Sequence, residues 1–255
     1  WGPGTGKSIL ALEQSLRLAG ERKRVALLSY NRGLAEFQRA QVEVSNARLK
    51  PAFVGSLFAH LPAHLDMRFP EPPTGLQARQ EHFGEKVPKL MLEFLRRQST
   101  DVKFDAIVVD EAQDLNPLAW DVITALLRDR DGGWIHAFGD PAQDMWQQRA
   151  EPPGFWAVGH LQDNLRCTKR IAEFIQAYDP ESPSPISPVS GWQVETLQVE
   201  STEEVEQAAM NYADALVDDF GWQPGDVAVL STGPRLAAYS SQRGTTDEDI
   251  TAYWR

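Results

Sequence analysis

The string GPGTGKS at residues 2–8 constrains the fold more than any other stretch of the chain. It fits the pattern G-x-x-x-x-G-K-[ST] from its second position onward, with Trp1 standing where the first, small residue belongs. In such a loop successive backbone N–H groups curl around phosphates, the lysine reaches the terminal phosphates, and the Ser or Thr hydroxyl coordinates Mg2+. Gly4 and Gly6 permit the curl, Gly2, Pro3 and Thr5 complete the loop, and Lys7 and Ser8 supply its charge and its hydroxyl. The alternative is a plain turn ahead of an amphipathic helix. Downstream, Ile9, Leu12, Leu16 and Ala19 recur at helical spacing up to Gly20, and RVALLSY at 24–30 reads as a buried strand. Loop, helix and strand in that order begin an α/β unit with a parallel sheet.

A second motif decides between the two readings. In FDAIVVDEAQD a continuous apolar run, Ala106 to Val109, ends on Asp110 and Glu111, as a strand buried on both faces does. A nucleotide hydrolase sets such a pair opposite its phosphate loop, one carboxylate for Mg2+ and the next to polarise the attacking water. Asp110 is the expected metal ligand, together with Ser8, and Glu111 the expected base. In isolation two acids at a strand end could equally cap a helix. WIHAFGD at 134–140 repeats the strand-then-acid pattern.

Composition narrows the class. With 255 residues, 42% of them apolar, the chain has material for one large domain or two smaller ones. A single cysteine, Cys167, excludes an intramolecular disulfide framework, and the five histidines lack metal-ligand spacing, so a reducing, cytoplasmic setting is expected. A net charge of −11 argues against nonspecific attraction of the whole surface to phosphate backbones. A strand-binding groove needs only local basic and aromatic groups.

Elsewhere the pattern is uneven. PAFVGSLFAHL mixes strand and helix signals, and Thr74 with Gln77 suggests a capping box for a helix running to about Gln98. Residues 41–100 thus read as a helical insertion. Asn116 to Arg128 reads as a helix, WAVGHL as a further strand, and the Pro-rich segment 179–191 as a stiff loop. WQVETLQVE and DVAVLSTG suggest strands on either side of a capped helix from Ser201 to Phe220, with Val205, Ala209, Tyr212 and Leu216 on one face.

GPGTGKS, LLSYNRGLAEF, VVDEAQD, FGDPAQDMW and LQDNLRCT occur in the order of motifs I, Ia, II, III and IV of superfamily 1 helicases, and the chain resembles those of the UvrD/Rep kind over residues 2–178. The resemblance implies a P-loop NTPase with a RecA-like parallel sheet, helices on both faces and a helical insertion. The first such domain would span 1–160, and 161–255 would start a second, partial α/β domain. It implies ATP hydrolysis with Mg2+, coupled to 3′ to 5′ movement on single-stranded DNA. Gln143 stands at the motif III glutamine that senses the γ-phosphate, the alternative being a surface glutamine. Arg166 stands at the arginine that reaches the γ-phosphate, the alternative being a local ion pair. Trp146 stands where relatives stack an aromatic on a base, although core packing is equally open to it, and Arg149 where they touch the strand backbone. Tyr30, Asn31 and Ser56 match strand-contacting positions more loosely, with loop or cap roles the better expectation.

Two departures accompany the match. Motifs V and VI are not found before Arg255, and no strand or adenine-reading glutamine motif precedes the loop, which suggests the middle of a longer protein. An RNA-directed or nuclease-associated motor and a nucleotide-binding module with little turnover are the alternative functions. The lack of an N-K-x-D or T-K-x-D string argues against a GTPase.

Overall fold

Four short strands run parallel in the order β2-β1-β3-β4: β1 Val25–Ser29, β2 Phe53–Ser56, β3 Ala106–Asp110 and β4 Trp134–Ala137. The computed structural model describes residues 4–140, 143, 150, 157–180, 182 and 184–230. Helix α1, Lys7–Gly20, leads into β1, and α2, Arg32–Val44, into β2. The short α3, Leu61–His64, follows β2; then α4, Leu76–Glu81, passes through a π turn at His82–Lys86 into α5, Val87–Arg97. Helix α6, Pro117–Ala125, joins β3 to β4.

Alternation along the strands builds a core on each face. Val25, Leu27, Ala106 and Val108 pack with Ala11 and Leu18 of α1 and Val42 of α2. Ala26, Leu28, Ile107 and Val109 point the other way, into Met91 and Leu95 of α5 and Trp120 and Ile123 of α6. Trp120 is 2% exposed, and its indole N–H donates to the Ala150 carbonyl at 3.1 Å, which satisfies the one polar atom of the ring. Truncation to alanine here would cost about 3–5 kcal/mol.

Several expectations shift in detail. On α1 Ala19 is buried and Leu12 and Leu16 pack against the core as expected, but Ile9 is 67% exposed and the fully buried line runs through Ala11, Ser15 and Leu18. The 41–100 stretch supplies β2, hydrogen-bonded to β1 in the register Ser29↔Ser56, as well as helices. No capping box forms at Thr74: Gly75, at φ 99, precedes α4 without a side-chain cap. The expected single helix bulges ahead of Pro88, which lacks an N–H; the Asn116 side chain donates to the Gly84 carbonyl at 2.7 Å. Asn116 also caps α6, accepting from the Ala119 N–H as its sequence position predicts.

The chain divides into units Trp1–Gln193 and Val194–Arg255. Within the first, β5, Asp163–Asn164, pairs in parallel with β6, Ser184–Pro185, around α7, Lys169–Tyr178. The expected strand at WAVGHL does not form over residues 157–161. In the second unit α8, Thr202–Asp218, carries its predicted Ser201 cap, which accepts from the Glu204 N–H. Residues 192–200 and 227–230, expected as strands, are not strands, and no strand edge is present among the described residues of the second unit. No helix among the described residues is long and apolar enough to cross a membrane.

Candidate active site

The glycine turn before α1 and the carboxyl ends of β3 and β4 converge. Gly4 and Gly6 sit at φ 75 and φ 86, the left-handed region that favours glycine, and bring the chain sharply into α1. Gly6 occupies the N-cap without a side chain to offer, so the N–H groups of the first turn lack a side-chain cap at the positive end of a 14-residue helix. Thr5 and Lys7 are buried.

The Asp110 side chain is fully buried at the end of β3, level with Ser29 of β1. Its carboxylate accepts from the Glu111 N–H at 3.1 Å and from Gln38 Nε2 at 2.8 Å, with the Ser8 hydroxyl beside it. Burial, helped by the Glu111 charge, pushes its carboxyl up to about 6, against the opposing pull of the Ser8 hydrogen bond and the Lys7 ammonium.

Glu111 follows in a left-handed backbone conformation, φ 56 and ψ 48, at the mouth of a 3-10 turn over Ala112–Asp114. The Ala112 N–H donates to the Phe138 carbonyl at 2.9 Å, tying that turn to the extension of β4. Beyond Phe138, Asp140 is 1% exposed. Lys7 Nζ lies 3.4 Å from Asp140 Oδ2, and Gln143 Nε2 donates to the same oxygen at 2.9 Å. The Asp140 N–H donates to Gln113 Oε1 at 2.9 Å, and Gln113 Nε2 donates to Glu111 Oε2 at 2.6 Å.

Arg166 enters through its backbone. The N–H groups of Leu165 and Arg166 donate to the Gly4 carbonyl at 2.8 and 3.2 Å, while the buried Asn164 accepts from the N–H groups of Arg166 and Cys167. The Arg166 side chain is exposed beside the glycine turn.

The other expected residues lie apart. Asn31 caps α2 by accepting from the Leu34 N–H, the cap role its sequence also allowed. Tyr30 sits edge-on to Phe58, its hydroxyl pKa raised by burial and the Asp114 charge. Ser56 is 1% exposed, its backbone N–H donating to His60 Nδ1 at 3.1 Å and its hydroxyl 3.3 Å from the same atom. Gly2, Pro3, Trp146 and Arg149 lie outside the described residues.

Four residues of this constellation escaped the sequence reading: Gln38, Gln113, Asp140 and Asn164. Asp140 and Gln113 stood within noted motifs without a role. Gln38 left one signal, a polar residue on the buried stripe Ala35, Gln38, Val42 of α2.

Residues 90–155 match the family described as UvrD/REP helicase N-terminal domain. The match includes Asp110, Glu111, Gln113, Asp140 and Gln143 and covers about a quarter of the chain. No curated protein matches the chain. Over those residues the chain carries a UvrD/Rep-like superfamily 1 helicase segment.

Proposed function

We propose that the chain is the ATP-binding part of an ATP-dependent DNA helicase, a RecA-like P-loop domain over 1–160 with the start of a second from 161, that hydrolyses ATP to move along single-stranded DNA. The observation that carries this reading is Lys7 Nζ at 3.4 Å from Asp140 Oδ2, next to the buried Asp110 carboxylate with the Ser8 hydroxyl beside it. It joins a glycine turn to the acids that end two neighbouring strands.

The donor chemistry suits Mg2+ and a nucleotide triphosphate. Hydroxyl and carboxylate oxygens are hard ligands, and Mg2+ is commonly held by one or two carboxylates with substrate phosphates and water completing the shell. The bare Gly6 cap leaves helix N–H groups for phosphate oxygens.

Ser8 and Asp110 would hold Mg2+, which when bound offsets the charge on the β- and γ-phosphate oxygens. Lys7, leaving Asp140, and Arg166 neutralise the phosphates. Glu111 takes a proton from water, the water oxygen bonds to the γ-phosphorus, and the bond to the β,γ-bridging oxygen breaks, giving ADP and inorganic phosphate. Gln143, hydrogen-bonded to Asp140, is placed to register the γ-phosphate. Trp146 and Arg149, with Tyr30 and Asn31, are assigned to the strand by resemblance, stacking being tolerant of base identity.

Phosphate release measured with poly-dT, with poly-U and without nucleic acid tests the reading. Stimulation by poly-dT above poly-U is the expected result, and preference for poly-U makes it an RNA-directed motor. Tight Mg·ATPγS binding with no stimulation by either leaves a nucleotide-binding module. Absence of nucleotide binding overturns the reading.

A further inference from the structure

We propose that Gln113 is a positioning residue that holds the Glu111 carboxylate in place and links it to the turn bearing Asp140, the partner of Lys7. The inference rests on Glu111 being the base of the ATPase proposed above.

Glu111 needs holding. A non-glycine residue in the left-handed region costs about 1–2 kcal/mol, and such a conformation persists where its surroundings over-determine it. Backbone contacts fix the turn on both sides: the Glu111 N–H donates to Asp110, the Ala112 N–H to Phe138, and the Asp114 N–H to the Glu111 carbonyl at 3.2 Å. These bonds fix the Glu111 main chain and leave its side-chain torsions free. The partner given to its carboxylate is the Gln113 amide, itself 7% exposed.

The orientation of that amide follows from chemistry. The Asp140 N–H can only donate, so the Gln113 oxygen must face it and the nitrogen must face Glu111, whose ionised carboxylate can only accept. A glutamate at 113 could accept from Asp140 but would set a second carboxylate against Glu111. Gly139 permits the approach: a Cβ there would stand 3.0 Å from Gln113 Oε1 and 3.2 Å from its backbone nitrogen. The same amide thus fixes the base and rests on the N–H of the residue whose carboxylate holds Lys7. Its role is distinct from those of Lys7, Ser8, Asp110 and Glu111, because both ends of its amide are taken up by Glu111 and the Asp140 N–H.

The test compares wild type, Gln113→Met, Gln113→Glu, Glu111→Gln and the double variant Gln113→Met with Glu111→Gln. Gln113→Met should lower kcat by about 10- to 100-fold, as expected for a misplaced reacting group, with KM and Mg·ATPγS affinity changed less than about threefold. Gln113→Glu should be at least as slow. In the Glu111→Gln background the Gln113→Met change should cost nothing further, a non-additivity that general loosening of the fold would not give. Independently of turnover, the Gln113 side-chain amide resonance, assigned by its loss in Gln113→Met, should move in Glu111→Ala. Wild-type kcat in Gln113→Met with Glu111→Gln inactive overturns the inference alone, as does a Gln113 resonance indifferent to Glu111→Ala. Active Glu111→Gln protein instead removes the base assignment beneath it.

Discussion

The Lys7 ammonium and the Asp140 carboxylate meet at 3.4 Å across 133 residues of chain, with 7% and 1% of their side chains exposed. Removing one partner of a buried pair typically costs about 3–5 kcal/mol. Asp140→Ala should therefore lower the melting temperature, and saturating Mg·ATPγS should recover part of the loss by returning negative charge to Lys7. A melt unchanged by the substitution would show that the pair contributes little.

Lys7→Ala and Glu111→Gln should separate binding from chemistry. A hydrogen bond to a charged group contributes about 1.5–3 kcal/mol, so Lys7→Ala should weaken Mg·ATPγS binding by at least about 10-fold. Glu111→Gln should keep that affinity and lose at least about 100-fold in hydrolysis. Fluorescence titration and single-turnover phosphate release read the two effects.

The position of Asp110 predicts a pH-dependent stability. Burial first, and then the Glu111 charge, raise its carboxyl from 3.8 to about 6. Between those values the folded chain holds a proton that the unfolded chain has released, so this group favours folding at low pH and the benefit is lost as pH rises through that window. Without Mg2+, the ionised carboxylate costs about 2–4 kcal/mol at neutral pH. Asp110→Asn should melt above wild type at pH 7.5, with the gap closing toward pH 4. A variant less stable than wild type at every pH would contradict this.

The sheet was legible where one element sufficed. Ala106–Val109 is apolar on both faces, and Asn116 is a side-chain acceptor at a helix start, so both elements took the form their local chemistry dictates. Strand β2 was not legible: Phe53–Ser56 is short and holds Gly55, and it becomes a strand because β1 offers it an edge. That glycine is a packing requirement, since a Cβ would lie 2.6 Å from the Phe53 ring. Residues 227–230 show the converse, an apolar run without an edge to pair with among the described residues of their unit. In the candidate site, the motifs single out Ser8 and Asp110 because the chemistry lies in the residues themselves. Asp140 and Gln113 depend on which side chains the turns after β3 and β4 bring together, which no spacing along the chain encodes.

Gly4 offers a test of the loop against its neighbour. At φ +75 an alanine is strained, and its Cβ would fall 2.3 Å from Asn164 Oδ1. Gly4→Ala should displace the 164–166 segment, lower stability by about 1–3 kcal/mol and weaken Mg·ATPγS binding. Gly225→Ala, where a Cβ meets nothing within 4 Å, serves as the control.

The most direct measurement is Mn2+ binding in place of Mg2+, followed by electron paramagnetic resonance with ATPγS present. Ser8→Ala and Asp110→Asn should each weaken nucleotide-dependent Mn2+ binding by about 10-fold or more while leaving metal-free ATPγS affinity near wild type. Mn2+ affinity unaltered by either substitution would contradict a single ion shared between the glycine turn and the end of β3.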